Sequence, residues 1–285
     1  MSSTPLVTEQ NAVAFAARGH AVLPLHGIAN GKCTCGTDCG RNAGKHPHHL
    51  APHGLKSATT DLEKVRAWFR RHPEINYGIV TDTLPTVDID PRNGGDVSWR
   101  ELVKKHHDVC GWRVRTGGGG EHIMLGTVST ALPSCKLAKG IEFQSIGKYI
   151  VGAGSMHQSG KRYFWDKSAV PQAGETAPQA PPPWLVQMLT ATVTKPQAER
   201  TPDEDAAFFD KLLEPALPGE RRHRFSQLLG HLFGKPYPHR GVLACLAMSH
   251  VKLTYPDLEG FTDAEMKALA QDLIRRDDIK RGIAA

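Results

Sequence analysis

The chain has 285 residues, a hydrophobic share of 40%, a charged share of 22% and a formal net charge of +6. This is globular composition, enough for one large domain or two ordinary ones. No run of 18 or more apolar residues appears, and MSSTPLVTEQNAV lacks the basic start and apolar core of a secretory signal, so an intracellular, cytoplasmic protein without membrane contact is expected.

In chain order, residues 8–18 predict a helix with Thr8 as cap and Gly19 as stop, and 21–25 predict a short strand. Residues 26–57 carry many Gly, His, Cys and Pro and read as a long loop that something must organise. A second helix follows in TTDLEKVRAWFRRHP, where Thr60 and Glu63 form a capping box and Leu62, Val65, Trp68 and Phe69 make the apolar stripe. Strands are expected at 77–80, 85–90, 112–116, 122–126, 141–143, 148–152 and 162–165, interrupted by a helix near 96–107. The class is therefore α+β, with a mostly antiparallel sheet. Residues 171–183 are Pro- and Ala-rich, a linker or a surface wrap, and 194–205 form a second loose stretch. Beyond it four short helical patterns make a small all-α domain.

The charge is unevenly placed. Residues 1–194 hold 21 Lys and Arg against 15 Asp and Glu, whereas 195–285 hold 14 of each. A basic first part suits a polyanion such as nucleic acid or nucleotides.

Five constellations carry chemistry. In PTVDIDPRNGG, Asp88 and Asp90 share one face of a strand end, and two like charges there need a cation, a shared proton or solvent. In RVRTGGGGEHIMLG, four glycines join two strands, so the backbone amides of Gly119 and Gly120 can approach a phosphate, with Arg115 before the turn and His122 after it. Glu142 stands between Ile141 and Phe143 in an apolar strand and needs a partner, either a nearby Lys or a metal shared with the Asp pair. Ser155 follows a second Gly-rich turn and could meet a phosphate or sugar. Cys33, Cys35, Cys39 and His46 have C-x-C-x₃-C-x₆-H spacing, either a closed structural zinc set or free thiols, with zinc the expectation and His48, His49 or His53 as alternatives for the fourth ligand. Arg221, Arg222 and Arg224 cluster on a predicted helix, as a solvated face or a grip on template phosphates.

Taken in order, GLKSATTD, NYGIVT, VDIDPRNGG, RTGGGGEH, IEF, IVGAGS and SGKRYFW resemble the bifunctional DNA primase/polymerases of the archaeo-eukaryotic primase superfamily, over most of residues 10–190. GERRHRFSQLLGHLF is similar to the small helical domain that often follows in plasmid and phage primases. The resemblance implies an α/β module joined to an RRM-like antiparallel sheet, with the active site in the cleft between them. It implies a catalytic domain over 1–190 with a zinc loop at about 31–53, a linker at 191–205 and a helical domain at 206–285. It implies DNA primer synthesis and extension through two Mg²⁺ or Mn²⁺ ions held by Asp88, Asp90 and Glu142, with His122 on the incoming triphosphate, assisted by Arg115, Lys148 and Ser155. The partners implied are single-stranded DNA, NTPs or dNTPs and, since no G-x-x-x-x-G-K-[ST] motif is present, a separate helicase; the chain is expected to be a monomer. The sequence departs from the family where Glu142 replaces the usual Asp, Gln144 the usual Arg, and Gly152-Ala153-Gly154-Ser155 the usual P-P-S turn. A non-catalytic replication initiator of the same fold is the alternative. A nucleotide-sugar transferase, resting on the D-x-D alone, is a further one.

Overall fold

The computed structural model describes residues 7–129, 132–194, 201–215, 221–233, 239–254 and 262–280. The chain divides into two compact units, Met1–Pro196 and Gln197–Ala285.

The first unit opens with α1 (Val7–Ala17), β1 (Val22–Leu25) and a small hairpin, β2 (Ile28–Ala29) and β3 (Lys32–Cys33). It continues through α2 (Leu62–Arg71), β4 (Asn76–Val80), β5 (Thr86–Ile89), α3 (Gly95–His106), β6 (Trp112–Arg115) and β7 (Glu121–Met124). It closes with β8 (Cys135–Ala138), β9 (Ile141–Gln144), β10 (Tyr149–Val151), β11 (Phe164–Trp165) and α4 (Pro183–Thr194). The fold is α+β as expected, and every described strand pairing is antiparallel.

Two sheets carry the unit. One is three-stranded, in the order β1-β4-β10, and the other six-stranded, in the order β11-β6-β7-β5-β9-β8. Strand alternation gives the larger sheet two different faces. Val87, Ile89, Ile123, Ile141 and Phe143 point to one and bury against Trp99 of α3 and Leu185 and Leu189 of α4. Trp112, Val114 and Met124 point to the other and join the core formed by α1, α2, β1 and β4. Asp88, His122 and Glu142 share this second face, because each is in direct register with its neighbour across β7-β5-β9.

Several sequence expectations change. Thr8 lies inside α1, and its hydroxyl donates to the Gly154 carbonyl (2.9 Å). The cap of α2 is Asp61 rather than Thr60: its carboxylate accepts from the Glu63 and Lys64 amides at 2.9 and 3.1 Å. The helix begins one residue later than the Thr60 box requires, and an anion suits its positive end better than a hydroxyl does. Glu63 instead pairs with Arg66 at 2.8 Å. β8 and α4 add to the expected elements. The Pro-rich stretch is a wrap: His20 Nε2 meets the Thr176 carbonyl (2.7 Å), Arg18 donates to that of Glu175 (3.0 Å) and the Gly126 amide to that of Gln179 (2.8 Å). Of the expected linker, residues 191–194 end α4, 195–200 lie outside the described residues, and 201–205 form the capping box and first turn of a further helix.

The second unit contains α5 (Pro202–Leu213), α6 (Arg221–Phe233), α7 (Arg240–Thr254) and α8 (Asp263–Lys280). Leu212, Phe225, Leu228, Leu229, Phe233, Val251 and Met266 form its own core.

Candidate active site and metal centres

The Asp88 side chain is 35% exposed, and its Oδ1 lies 3.7 Å from Nε2 of His122, which is 8% exposed. Burial holds the His122 ring below the usual histidine range, against the pull of Asp88 and with a push from Lys45. Its Nδ1 is buried, on the side of the Val151 backbone. On the other side of Asp88, Glu142 is exposed and accepts from Gln144 Nε2 at 2.7 Å. Gln144 thus orients Glu142.

Asp90 leaves β5 and caps a 3₁₀ turn, Pro91–Asn93. Its carboxylate accepts from the Arg92 amide (3.0 Å), Arg92 Nε (3.0 Å) and Nη2 (3.1 Å), and Asn93 Nδ2 (2.9 Å). Those bonds, Arg92 first, hold its pKa below the usual carboxylate range. The Asp90 amide donates to the Gly140 carbonyl at 2.8 Å. A Cβ on Gly95 would sit 2.2 Å from that same oxygen, so only glycine lets the start of α3 close on the β8–β9 turn and fix Asp90.

Three residues that sequence reasoning does not assign join this set. Lys45 comes from the Cys-rich loop. Burial lowers its pKa most, followed by the charge of Arg92, while Asp88 and Asp90 raise it. Arg92 pairs with Asp90, as described. His157 has its ring beside the Gly-rich turn, where a Cβ on Gly118 would lie 3.5 Å from its Nε2. The Ser159 amide donates to His157 Nδ1 (3.1 Å), which leaves the proton on Nε2, and that buried nitrogen has no partner. His122 and His157 each pack 5.9 Å from the buried ring of Tyr163. The signals in sequence are G-K-H-P, D-P-R and the histidine of SMHQSGKRYFW.

The other expected members have these surroundings. Arg115 is one residue past Val114, the register partner of His122, so it points to the opposite face. There it pairs with Glu121 (3.3 Å) and Asp166 (3.1 Å). Ser155 is fully buried, and its hydroxyl accepts from the Tyr77 amide at 3.4 Å. Lys148 is exposed on the turn before β10. The Gly119 and Gly120 amides are taken up within the turn, by the Thr116 carbonyl (3.0 Å) and hydroxyl (2.9 Å). In the second unit Arg224 donates to the Lys211 carbonyl, and exposed Arg222 lies 4.0 Å from Glu265.

The Cys-rich loop gathers its four expected ligands. Cys33 and Cys39 Sγ each lie 3.3 Å from His46 Nε2, and Cys35 lies 3.1 Å from Cys39. All four donor atoms fall within 4.8 Å of one another. Hydrogen bonding to Thr37 and Cys39 draws the Cys35 thiol down to about 6. Three sulfurs and one imidazole suit a closed tetrahedral zinc ion. The Tyr149 hydroxyl donates to the Lys45 carbonyl (2.9 Å), so the residue next to His46 is tied to β10.

No helix among the described residues is long and apolar enough to cross a membrane. A comparison with curated proteins finds no match. The family profile described as "Bifunctional DNA primase/polymerase, N-terminal" matches residues 12–184, more than half of the chain and all of the site above. This chain belongs to the bifunctional DNA primase/polymerase family.

Proposed function

We propose that the chain is a DNA primase/polymerase that makes primers on single-stranded DNA and extends them, with Asp88, Asp90 and Glu142 as its metal ligands. The observation that carries the reading is the row Glu142–Asp88–His122, three adjacent strands presenting two acids and a histidine in register on one half-open face. Hard carboxylate oxygens fit Mg²⁺ or Mn²⁺. When bound, a pair of such ions lowers the pKa of the primer 3′-hydroxyl and offsets triphosphate charge. The protein's own part is positional. Lys45 and Arg92 supply positive charge beside the acids, and His122, whose Nε2 faces Asp88, is assigned to the incoming triphosphate. The Cys33–Cys35–Cys39–His46 centre, holding zinc, keeps Lys45 in place. The partners are a DNA template, nucleoside triphosphates and a separate helicase, and the protein acts as a monomer.

The test is primer synthesis on single-stranded DNA with Mg²⁺ or Mn²⁺, comparing the native chain with Asp88→Asn and Glu142→Gln. Each substitution removes a direct ligand and is expected to cost ~10²-fold or more, since even indirect support of a ligand is worth 10–100-fold. Both residues are partly open to solvent, so the circular dichroism spectrum should not change. A native chain that binds DNA and makes no product would instead mark a non-catalytic initiator.

A further inference from the structure

We propose that His48, His49 and His72 form a second transition-metal site, separate from the Cys₃His centre and from the acids. Their donor atoms lie within 4.8 Å of one another, and the ring centroids of the three pairs are 3.9, 4.9 and 5.2 Å apart. Metal–nitrogen bonds of ~2.0–2.1 Å place tetrahedral ligand nitrogens about 3.4 Å apart, so modest ring rotations close the site.

The backbone brings the three rings together from two elements. His48 pairs antiparallel beside the end of β1: its amide donates to the Pro24 carbonyl (3.0 Å), and the His26 amide donates to that of His46 (3.0 Å). His48 is buried, whereas His49 next to it is exposed. His72 ends α2, where its amide donates to the Trp68 carbonyl (2.9 Å).

A second observation is that the cluster's ring nitrogens are open to a ligand. Among the described residues, the rings of His49 and His72 make no hydrogen bond, although each sits against another imidazole. The Nδ1 of buried His48 accepts from the Leu50 amide (3.3 Å), which leaves its Nε2 to serve as a ligand. The Glu74 carboxylate stands 3.9 Å from His72 Nδ1, the kind of neighbour that orients a metal-bound imidazole or supplies a fourth ligand. Three imidazoles suit Zn²⁺, Co²⁺, Ni²⁺ or Cu²⁺ rather than Mg²⁺. The occupied site would fasten the exit of the Cys-rich loop to the end of α2.

The two centres are distinguishable by spectrum. Cobalt(II) titrated into metal-stripped, untagged protein in a large excess of Mg²⁺, which keeps cobalt off the carboxylates, should bind in two equivalents. The one at the thiolates gives sulfur-to-metal charge transfer in the near ultraviolet, and the one at the histidines gives only ligand-field bands in the visible. The His49→Ala/His72→Ala variant should lose the second equivalent and keep the charge-transfer band, which also reports that the loop is folded. His49→Ala alone, at an exposed position, should weaken the second equivalent at least tenfold. Saturation of the native chain at one equivalent, or a second equivalent that survives in the double variant, overturns the proposal. No nucleotide or DNA enters the measurement, so its outcome is independent of the primase reading.

Discussion

Asp90 shows how much a single side chain must change to serve as a ligand. A carboxylate offers about four lone-pair directions, and Arg92 and Asn93 occupy all four. Arg92 is 56% exposed, so swinging it outward costs little, as an open ion pair contributes only ~0–1 kcal/mol. The released guanidinium is then free for phosphate. Arg92→Ala is therefore expected to lower the Mn²⁺ concentration for half-maximal incorporation several-fold while raising the nucleotide KM. An unchanged metal requirement would leave Asp90 as a turn cap only. The same scale shows what is legible in sequence. Asp88, His122 and Glu142 can be found because strand alternation and motif order suffice to put them on one face. Arg115 is misplaced by one residue of parity: counting back across the hairpin from His122 lands on Val114. Lys45, Arg92 and His157 sit in turns, where no period connects sequence position to direction.

At the scale of elements, the Cys-rich loop is the piece that propensity cannot explain. Between β1 and α2 its described regular structure is a two-residue-per-strand hairpin and two short 3₁₀ turns, Gly40–Asn42 and Gly54–Ser57. A loop so long with so little backbone pairing needs cross-linking, which three thiols and one imidazole would provide around a bound metal. Its order matters to the site because Lys45 adjoins His46. Metal analysis is expected to find about one zinc per chain at the cysteine centre, absent from Cys33→Ser/Cys35→Ser. That variant should melt lower, by roughly 2–4 °C for each kcal/mol of destabilisation in a domain of this size. It should also reproduce the nucleotide-binding defect of Lys45→Ala, about tenfold or more in KM for a charged hydrogen bond. A zinc-free variant with native stability and native KM would mean that the loop holds Lys45 without metal. β8 and α4 escape sequence reasoning for related reasons. CKLA has no apolar alternation, and PWLVQMLTATVT carries β-branched Val and Thr throughout. α4 is helical because Leu185 and Leu189 bury against the sheet, a tertiary gain that outweighs local preference.

Across the whole molecule, charge and chemistry divide unequally between two units that each have their own core. Two clusters draw only on residues before 196 and the third only on residues after it. The first unit holds 22 Lys and Arg against 15 Asp and Glu, and every acid, lysine and histidine of the proposed site. The helical unit holds 13 Lys and Arg against 14 Asp and Glu. Part of its basic cluster is used internally, since Arg224 bonds the Lys211 carbonyl. Arg222 is the member best able to leave its distant partner, at 63% exposure and 4.0 Å from Glu265. Starting a chain is harder than extending one, because two free nucleotides must be held on the template with no paired primer for the cleft to grip. A chain ending near residue 195 keeps both of its cores and is expected to fold, to extend a preformed primer, and to lose most synthesis from scratch. Arg222→Ala in the full chain should weaken template binding and flatten its dependence on salt, by roughly 0.7 in logarithmic slope for each single-strand phosphate that is no longer neutralised. Equal loss of initiation and extension on truncation would make the helical unit a folding partner of the first. Unimpaired initiation, with an unchanged salt slope in Arg222→Ala, would reduce the cluster to a solvated helix face.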